Sequence, residues 1–473
     1  MPKLFIHIIN LLLVNNHPES IIGDTEEEYI ERVSNKGYLY ALLWLIGQII
    51  FLVPLHFSNS FYWSAAMLKN YFKIGYRNLI KEKLISIISI AGLGIGIGAA
   101  ALIMIYVHFE TGYDNFFTGS DRIYRIYTTQ GASTNNIGYG VVIGTLTPAL
   151  NEMPDVESAT SLFNLGGAYI KIEDKKFDKM NIFFADSNLF DVLDYKIING
   201  TSEKVLTNPS SAIITESTAL KFWGTPDVIE KEFELQSNFF ESKIYKVAAV
   251  IEDTPINSHL EINILLSHYS QPLLDQFGGD EFLTYFKLTE SASPEVALKK
   301  VYDAFEKVSE PRREAGYDGH AGIIPIKDIN LKGASHFRGN SGKGDLDFVI
   351  ILSIVAAAIL LIAVLNFVNL LSAKFQNRFN EIGVRKVVGA NRNSILLQFI
   401  SEAVLIACIS SIISIAIFLL ALTDFGILVD RKLDIYFSSL PWIIGVVFLI
   451  STFAAVVASI FPALRVANLK CVH

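Results

Sequence analysis

The chain of 473 residues has only two cysteines, Cys408 inside an apolar run and Cys471 near the end. This number excludes a fold held together by several disulfides and a cysteine-rich metal site. Charged residues make up 18% of the chain, against roughly 25% in an ordinary soluble domain. Because hydrophobic residues make up 51%, the composition favours a membrane protein.

Basic residues are fewer than acidic ones, 39 against 47, so the net charge is −8 at pH 7. This balance argues against a nucleic-acid partner, which requires a basic surface. The nine histidines show no metal-binding spacing, and no Walker motif occurs anywhere in the sequence. We expect no metal, no cofactor and no enzymatic activity in this chain, so that any ATP hydrolysis must come from another chain.

Four apolar runs reach the roughly 20 residues that a helix needs to cross the hydrocarbon core of a membrane. They cover residues 84–107, 348–371, 396–422 and 442–464, and only the third contains an acidic residue, Glu402. Since only helices satisfy their own backbone hydrogen bonds in lipid, the segments between the runs must lie in water. The sequence therefore predicts an α-helical membrane protein with four transmembrane helices.

Lysine and arginine gather in three of the flanking segments, 67–83, 372–395 and 465–473, whereas the short loop 423–441 is richer in acids. The positive-inside rule places these basic segments in the cytoplasm. The large segment 108–347 then lies outside, as a domain inserted between the first and second spans.

The first 66 residues contain a further apolar run, 38–55, which is interrupted by Gly47, Gln48 and Pro54. As a full span, this run would place the acidic stretch 24–31 outside; as a shallow helix, it would leave that stretch in the cytoplasm. Both alternatives remain open. In residues 67–83, which follow, apolar and basic residues alternate at helical spacing, and this pattern predicts an amphipathic helix on the inner lipid surface.

The large outer segment has the pattern of an α/β domain. Alternation of strand-like and helix-like runs favours compact βαβ-type modules over a sandwich. The strand-like runs are 122–128, 168–172, 181–185, 245–251 and 282–288, and the helix-like runs are 216–223 and 294–308.

The first span contains alternating glycines, Gly92, Gly94, Gly96 and Gly98. They do not form a nucleotide-binding loop, because no strand precedes them and the whole stretch is apolar. Small residues spaced four apart suit close packing of helices instead. That contact is either with a second subunit or within this one.

Three polar residues stand within or beside the apolar runs. We predict that Asn366 and Asn369 form hydrogen bonds between helices. Glu402 lies about two turns into the third span, where a charge is costly unless it is paired or hydrated. It either contacts the basic loop before it, through Arg385 or Arg392, or stays wet near the headgroups.

The cytoplasmic loop 372–395 contains the stretch Asn380-Glu-Ile-Gly-Val-Arg-Lys-Val-Val-Gly-Ala390. Glu381 and Arg385 are four residues apart in the order that stabilises a helix, and Gly389 can end that helix. From spacing alone, the loop is either a charged connector or a short amphipathic helix that a soluble motor could grip.

This stretch resembles the EIGVRKxxGA signature of the MacB/FtsX permease family. Residues 110–125 (ETGYDNFFTGSDRIYR), 214–224 (ITESTALKFWG), 254–259 (TPINSH) and 461–464 (FPAL) are also similar to family motifs. The resemblance extends from Met67 to Leu464, and residues 1–66 resemble a permease-prefix segment. It implies that the outer domain is of the MacB periplasmic type and that the chain lies in the bacterial cytoplasmic (inner) membrane.

By this resemblance the chain is the permease subunit of an ABC transporter that moves its outer domain for export or for lipoprotein or peptide trafficking. It implies an ATPase in trans, pairing as a homodimer or with a related permease, and, for export, a periplasmic or outer-membrane partner. An alternative is a regulatory scaffold that controls an extracytoplasmic enzyme such as a cell-wall hydrolase. The residues implied to contact or shape the ATPase interface are Glu381, Gly383, Arg385, Lys386 and Gly389.

Many family members with such a prefix continue into a second copy of the whole unit. The short tail 465–473 is therefore compatible with a complete unit that dimerises and with half of a duplicated permease.

Overall fold

The computed structural model describes residues 18–38, 40–42, 44–47, 70–130, 138–201, 205–237, 241–268, 279–338, 344–378, 383–384, 387–388, 392–433 and 440–467. The chain divides into two compact units. The membrane unit comprises Met1–Ala100, Ala358–Leu420 and Ile435–His473, and the outer unit comprises Ala101–Ala357 and Ala421–Asp434.

The helices lie in both units, whereas all the strands lie in the outer unit. The helices are α1 (Pro18–Lys36), α2 (Lys83–Thr111), α3 (Leu146–Asn151), α4 (Leu189–Val192), α5 (Glu216–Trp223), α6 (Pro294–Arg313), α7 (Ile329–His336), α8 (Leu346–Gln376), α9 (Arg392–Leu428) and α10 (Leu440–Ala467). Residues 70–81 are also helical, and we call them the interfacial helix. The strands are β1 (Ile123–Gln130), β2 (Gly138–Tyr139), β3 (Val142–Ile143), β4 (Val156–Asn164), β5 (Tyr169–Ile172), β6 (Lys175–Phe177), β7 (Ile182–Ala185), β8 (Ile197–Gly200), β9 (Ser211–Thr215), β10 (Glu232–Gln236), β11 (Lys243–Ile251), β12 (Ile264–Ser267), β13 (Asp280–Leu288), β14 (Gly319–Pro325) and β15 (Phe337–Arg338).

Helices α2, α8, α9 and α10 are long and apolar enough to cross a membrane, by length and composition. They contain the four apolar runs of the sequence, so the prediction of four spanning helices is confirmed. Helix α9 has 37 residues and is therefore about 55 Å long, whereas the hydrocarbon core of a bilayer is about 30 Å thick. Part of α9 must therefore project beyond the hydrocarbon.

The N-terminal part of the membrane unit is a helical hairpin. Gly37 ends α1 with a φ of 86°, a left-handed conformation that glycine adopts at little cost. Tyr29 of α1 packs against Ala41 and Leu45 in the next helical residues. The start of the apolar run 38–55 thus pairs with α1, but residues 48–55, on which a full span depends, lie outside the described residues.

The strands of the outer unit form one mixed sheet with the order β15-β2-β1-β13-β4-β7-β12-β9-β11-β10-β5-β6; in addition β14 pairs with β1, β3 with β13 and β8 with β11. The predicted α/β class is confirmed, and the predicted runs fall in β1, β5, β7, β11, β13, α5 and α6. The expected βαβ arrangement is present where β9 and β11 lie parallel with α5 between them in sequence.

Most of the other strand pairs are antiparallel, so the βαβ-type modules that the alternation of runs favoured make up only part of the sheet. The reason lies in the connections, because parallel neighbours require a crossover of a dozen or more residues. Strands β5 and β6, for example, are separated by only two residues and pair as an antiparallel hairpin.

The core of the outer unit lies on both faces of the sheet. Strands β7, β9 and β12 are buried along their whole length, as is typical of central strands that are covered on both sides. On one face, α6 buries a stripe spaced four residues apart, from Ala297 through Val301 and Phe305 to Ser309. This spacing places the stripe on a single side of the helix.

The stripe on α6 can be tested with one substitution made at two positions. Val301 is fully buried, whereas Val296 on the same helix is 53% exposed. We expect Val301→Ala to lower the free energy of unfolding of the outer unit by about 2 kcal/mol, because two buried methyl groups are lost. Val296→Ala should change it by less than about 0.5 kcal/mol. Hydrogen exchange of the full-length chain in detergent measures both, and equal effects would contradict the packing described.

Candidate functional site

Glu402 lies on α9, and its side chain is completely buried. Two cations reach it from the C-terminal part of α8 and the turn that follows. Lys374 Nζ lies 2.5 Å from Glu402 Oε1, and Arg378 Nη1 donates a hydrogen bond of 3.0 Å to Glu402 Oε2. The Lys374 contact lacks hydrogen-bond geometry, so its attraction is that of an ion pair. Both cations are themselves buried.

The segment that leads into α2 completes this cluster. Asn78 Nδ2 donates to Glu402 Oε2 at 3.4 Å, and Arg378 Nε lies 3.7 Å from Glu82 Oε1. The two carboxylates therefore balance the two cations. We call Glu82, Lys374, Arg378 and Glu402 the buried charge cluster.

The cluster contradicts one of the two alternatives expected for Glu402. Its carboxylate is not hydrated near the headgroups, since it is fully enclosed by protein. Among the described side chains its partners are Lys374 and Arg378. Arg385 and the side chain of Arg392, which the sequence offered as partners, lie outside the described residues. A single buried charge costs several kcal/mol, and neutralisation at contact distance offsets this cost.

The interfacial helix packs along the beginning of α9. The Tyr71 hydroxyl and Ser394 Oγ are 3.0 Å apart and share a hydrogen bond. A Cβ at Gly75 would lie 3.6 Å from Glu402 Cα, so the absence of a side chain allows the close approach of these helices. The predicted amphipathic segment thus contacts the protein as well as carrying basic residues.

The coupling loop, residues 379–391, joins Arg378 to α9, and the structure describes four of its residues. Gly383 and Val384 are helical, and Val388 N donates to Val384 O at 3.1 Å, as in a helical turn. Three valines of this turn are exposed, Val384 by 65%, Val387 by 77% and Val388 by 82%. Glu381, Arg385, Lys386 and Gly389 lie outside the described residues.

The glycines of α2 face two neighbouring helices in alternation. A Cβ on Gly96 would overlap with Ala363 Cβ of α8, and one on Gly92 would lie 3.3 Å from Asn366 Nδ2. A Cβ on Gly94 would lie 3.0 Å from Ile413 Cγ2 of α9, and Gly98 faces α9 in the same way. These contacts are made within the subunit, so α2 approaches both helices closely because it has no side chains there.

The two asparagines of α8 behave differently from the expectation. Asn366 lies against Gly92, and both Asn366 and Asn369 are exposed. Within the described residues, neither amide makes a hydrogen bond to another helix. The prediction of interhelical hydrogen bonds is therefore not met there.

A second buried ionic contact lies in the outer unit. Glu110, near the end of α2, is completely buried, and its Oε1 lies 2.5 Å from Arg431 Nε in the loop after α9. Asn330 Nδ2 of α7 donates to Glu110 Oε2 at 2.8 Å, and Gly344 N donates to Asn330 Oδ1 at 3.1 Å. This network joins the ends of α2 and α9 to the segment that begins α8.

Two motifs far apart in sequence meet in the core of the outer unit. His259 Nδ1 lies 2.7 Å from Asp114 Oδ2, and His259 Nε2 lies 2.8 Å from the Tyr285 hydroxyl. Ser258 Oγ donates to Asp114 Oδ1 at 3.0 Å. The guanidinium of Arg125, also fully buried, lies 5.6 Å from the centre of the Tyr285 ring. These groups join the start of the domain to β13, and their burial favours a structural role.

Comparison with known protein families agrees with this organisation. The profile of the MacB-like periplasmic core domain matches residues 86–304, and that of the FtsX-like permease C-terminal region matches residues 353–470. The chain belongs to the MacB/FtsX family of ABC permeases. It is accordingly a multi-pass protein of the inner membrane with an extracytoplasmic domain, as the sequence predicted.

Curated relatives within this family are considerably longer than the stretches that align. The macrolide export ATP-binding/permease protein MacB of Escherichia coli is 31% identical over 145 residues, which cover 30% of this chain and 22% of that protein. The protein of the same name from Campylobacter jejuni is 23% identical over 234 residues, covering 49% and 34%. This chain therefore aligns with about a fifth to a third of their length.

Two solved structures are similar to part of this MacB/FtsX permease. A domain of a permease protein from Porphyromonas gingivalis is 27% identical, covers 44% of this chain and 91% of its own, and has a TM-score of 0.38. The periplasmic region of MacB from Actinobacillus actinomycetemcomitans is 15% identical, covers 46% and 95%, and has a TM-score of 0.33.

In the sequence, Lys374, Arg378 and Glu82 are only charges within the basic flanking segments, and nothing local connects them with Glu402. A signal was present, because Lys374 and Arg378 are four residues apart, the spacing of neighbours on one side of a helix. Their common partner could not be deduced, since the rotation of α8 relative to α9 depends on packing.

The close contact at Gly96 predicts a difference between two glycines of this MacB/FtsX permease. Gly96→Ala should lower the free energy of unfolding by about 1–3 kcal/mol, because the added methyl group overlaps with Ala363. Gly445 on α10 has no atom within 4 Å of an added Cβ, and Gly445→Ala should be neutral or stabilising. Thermal unfolding in detergent tests both variants, and an unchanged midpoint for Gly96→Ala would refute the close contact.

Tyr285 predicts how the stability of the outer unit depends on alkaline pH. Burial raises the pKa of Tyr285 to about 12, with Arg125 lowering it and Asp114 raising it. A raised pKa means that the folded state favours the neutral phenol. The resulting contribution to the free energy of unfolding, about 2–3 kcal/mol, is complete below about pH 10 and is lost as the pH rises towards about 12. Tyr285→Phe should reduce this alkaline loss, whereas Tyr139→Phe, at a residue 47% exposed, should not.

The measurement is the denaturant midpoint of the full-length chain between about pH 8 and pH 12. Identical alkaline slopes for wild type and Tyr285→Phe would contradict the assignment.

Proposed function

We propose that this chain is the permease subunit of an ABC system, in which an ATPase in trans moves the cytoplasmic coupling loop and the permease passes this motion to its outer domain. The work performed by the outer domain would be export, or lipoprotein or peptide trafficking. The permease would act as a homodimer or beside a related permease, and export would involve a periplasmic or outer-membrane partner.

The observation that carries this proposal is the exposed apolar turn of the coupling loop. Val384, Val387 and Val388 are 65%, 77% and 82% exposed on a segment that both the basic flanks and the topology place in the cytoplasm. Neighbouring exposed valines at a site rimmed by polar residues are typical of a protein contact. Glu381, Arg385 and Lys386 would supply the polar rim, and Gly383 and Gly389 would shape the turn.

The motor is assigned to another chain because this sequence contains no Walker motif. A mechanical function also requires a stiff connection from the loop to the outer domain. Helix α8 runs without interruption from Leu346 to Gln376, so displacement at its loop end is carried along about 47 Å of helix. Coupling of this kind needs nucleotide states that make different contacts with the loop.

Substitution of an exposed valine tests the docking of the ATPase. Val387→Glu should weaken binding of the ATPase encoded beside this gene by about tenfold or more, equivalent to about 1.4 kcal/mol, because a charge enters an apolar contact. Val296→Glu, at an exposed valine of α6 in the outer unit, is the matched control and should leave binding unchanged. Co-purification from detergent followed by titration of the two purified proteins measures the dissociation constants.

Two outcomes would count against the proposal. If the wild-type chain binds no ATPase, the permease has no motor, and a scaffold that regulates an extracytoplasmic enzyme becomes the better account. If Val387→Glu binds as tightly as wild type, the valines are not the docking surface.

A further inference from the structure

The buried charge cluster has no role in the function as proposed so far. We propose that Glu82, Lys374, Arg378 and Glu402 form an ionic clamp that holds both ends of the coupling loop against the interfacial helix. Movement of the loop would then be transmitted directly to that helix and to α2. This inference rests on the proposed function, because it assumes that an ATPase moves the loop.

The ion pairs join residues that lie on both sides of the coupling loop along the chain. Lys374 and Arg378 stand immediately before the loop, and Glu402 follows it on α9. The contacts of 2.5 Å and 3.0 Å therefore connect the two ends of the loop across the protein. The end of α8, from which the loop starts, cannot turn away from α9 without stretching at least one of these contacts.

The interfacial helix and the turn after it carry a row of residues that contact α9 or the cluster. Tyr71, Gly75 and Asn78 are spaced four and three residues apart, so they lie on one side of the helix, and Glu82 follows in the turn before α2. All four contact α9 or the cluster. Tyr71 shares a hydrogen bond with Ser394, and Gly75 and Asn78 lie against Glu402. Glu82 lies beside Arg378. The interfacial helix is therefore held by the same groups that close the loop.

The cluster has charged groups at positions where apolar side chains could pack. A buried ion pair adds little net stability compared with apolar residues of the same volume, because the cost of desolvation offsets the attraction. Charged groups do favour one arrangement over others, since each displaced charge is left without a partner. Glu402 is 0% exposed and Lys374 is 1% exposed, so water does not replace a lost partner at that contact.

The geometry of the clamp can be measured without an ATPase. Spin labels are placed at Val388 of the loop and at Tyr76 of the interfacial helix, which are 82% and 60% exposed. The background carries Cys408→Ser and Cys471→Ser, which removes both native cysteines. Double electron–electron resonance of the full-length chain in lipid nanodiscs then gives the distribution of distances between the loop and the helix.

Wild type should show one narrow distribution of the distance between the two labels. Glu402→Gln should increase the width of this distribution by about twofold, because Lys374 and Arg378 lose their shared partner. Arg378→Lys retains the charge between the two carboxylates and should keep the distribution narrow. Lys81→Gln, which neutralises an exposed charge on the same helix, is the control and should also leave it narrow.

The double variant Glu402→Gln/Lys374→Met separates positioning from stability. It removes both members of the pair, so thermal stability should recover relative to Glu402→Gln, whereas the distance distribution should remain broad. A narrow distribution in the double variant, or in a folded Glu402→Gln, would overturn the clamp. If Glu402→Gln does not fold, Glu82→Gln replaces it, since Glu82 is 20% exposed, and an unchanged distribution there would equally overturn the proposal.

The outcome for the proposed function is read separately. Binding of the ATPase by wild-type chain is measured in the same preparation by co-purification. If the wild-type chain binds no ATPase but its distance distribution is narrow and broadens in Glu402→Gln, the ATPase assignment is refuted and the clamp geometry is not. Binding with distances that do not respond to Glu402 would refute the clamp and not the ATPase assignment.

Discussion

A carboxylate buried among membrane helices must be neutralised at contact distance, and much of the membrane unit can be understood from this one requirement. Glu402 is fully enclosed, so the cations at Lys374 and Arg378 have to reach it from α8. Their reach fixes the end of α8 beside the beginning of α9, on both sides of the coupling loop. Two cations against the single carboxylate of Glu402 would leave one positive charge unbalanced. Glu82 neutralises it through Arg378, and this contact brings the segment before α2 into the same cluster. Helix ends that hydrophobic packing alone would leave free to rotate are thereby given one arrangement.

Glycine provides the second condition, because side-chain charges can meet only where the backbones come close. Alternating glycines allow α2 to approach α8 with one side and α9 with another, and Gly75 allows the interfacial helix to approach Glu402. Van der Waals packing between helices is the main attraction available in lipid, where apolar surface gains nothing by leaving the solvent. Close packing and buried ion pairs therefore act together: the first brings the helices near, and the second specifies their rotation.

These two conditions also explain how much could be predicted from the sequence. Hydropathy and charge identified the four spans and their orientation because both depend on local composition. The helices α5 and α6 were likewise visible, since capping and periodicity are local.

The antiparallel order of the sheet was not predictable in the same way, because pairing depends on which distant strands meet. The partners of Glu402 were missed for a related reason, as periodicity locates a side of a helix but not the helix that it faces. The contact of Asp114 with His259 joins residues 145 apart in the chain, although both residues belong to motifs that the family resemblance had singled out.

Helix α2 connects these observations in a mechanical sense. It begins directly after Glu82 of the buried charge cluster, and near its other end Glu110 pairs with Arg431 and accepts a hydrogen bond from Asn330. Between them the helix is continuous from Lys83 to Thr111, about 44 Å of hydrogen-bonded backbone with no proline to bend it. A helix of this kind rotates or shifts as one piece, so displacement at its loop-proximal end changes the position of Glu110. Because Glu110 is fully buried, its partners must move with it or leave a charge unpaired, and the second alternative costs several kcal/mol. Under the proposed function, following the helix would therefore be the less costly response of the outer unit.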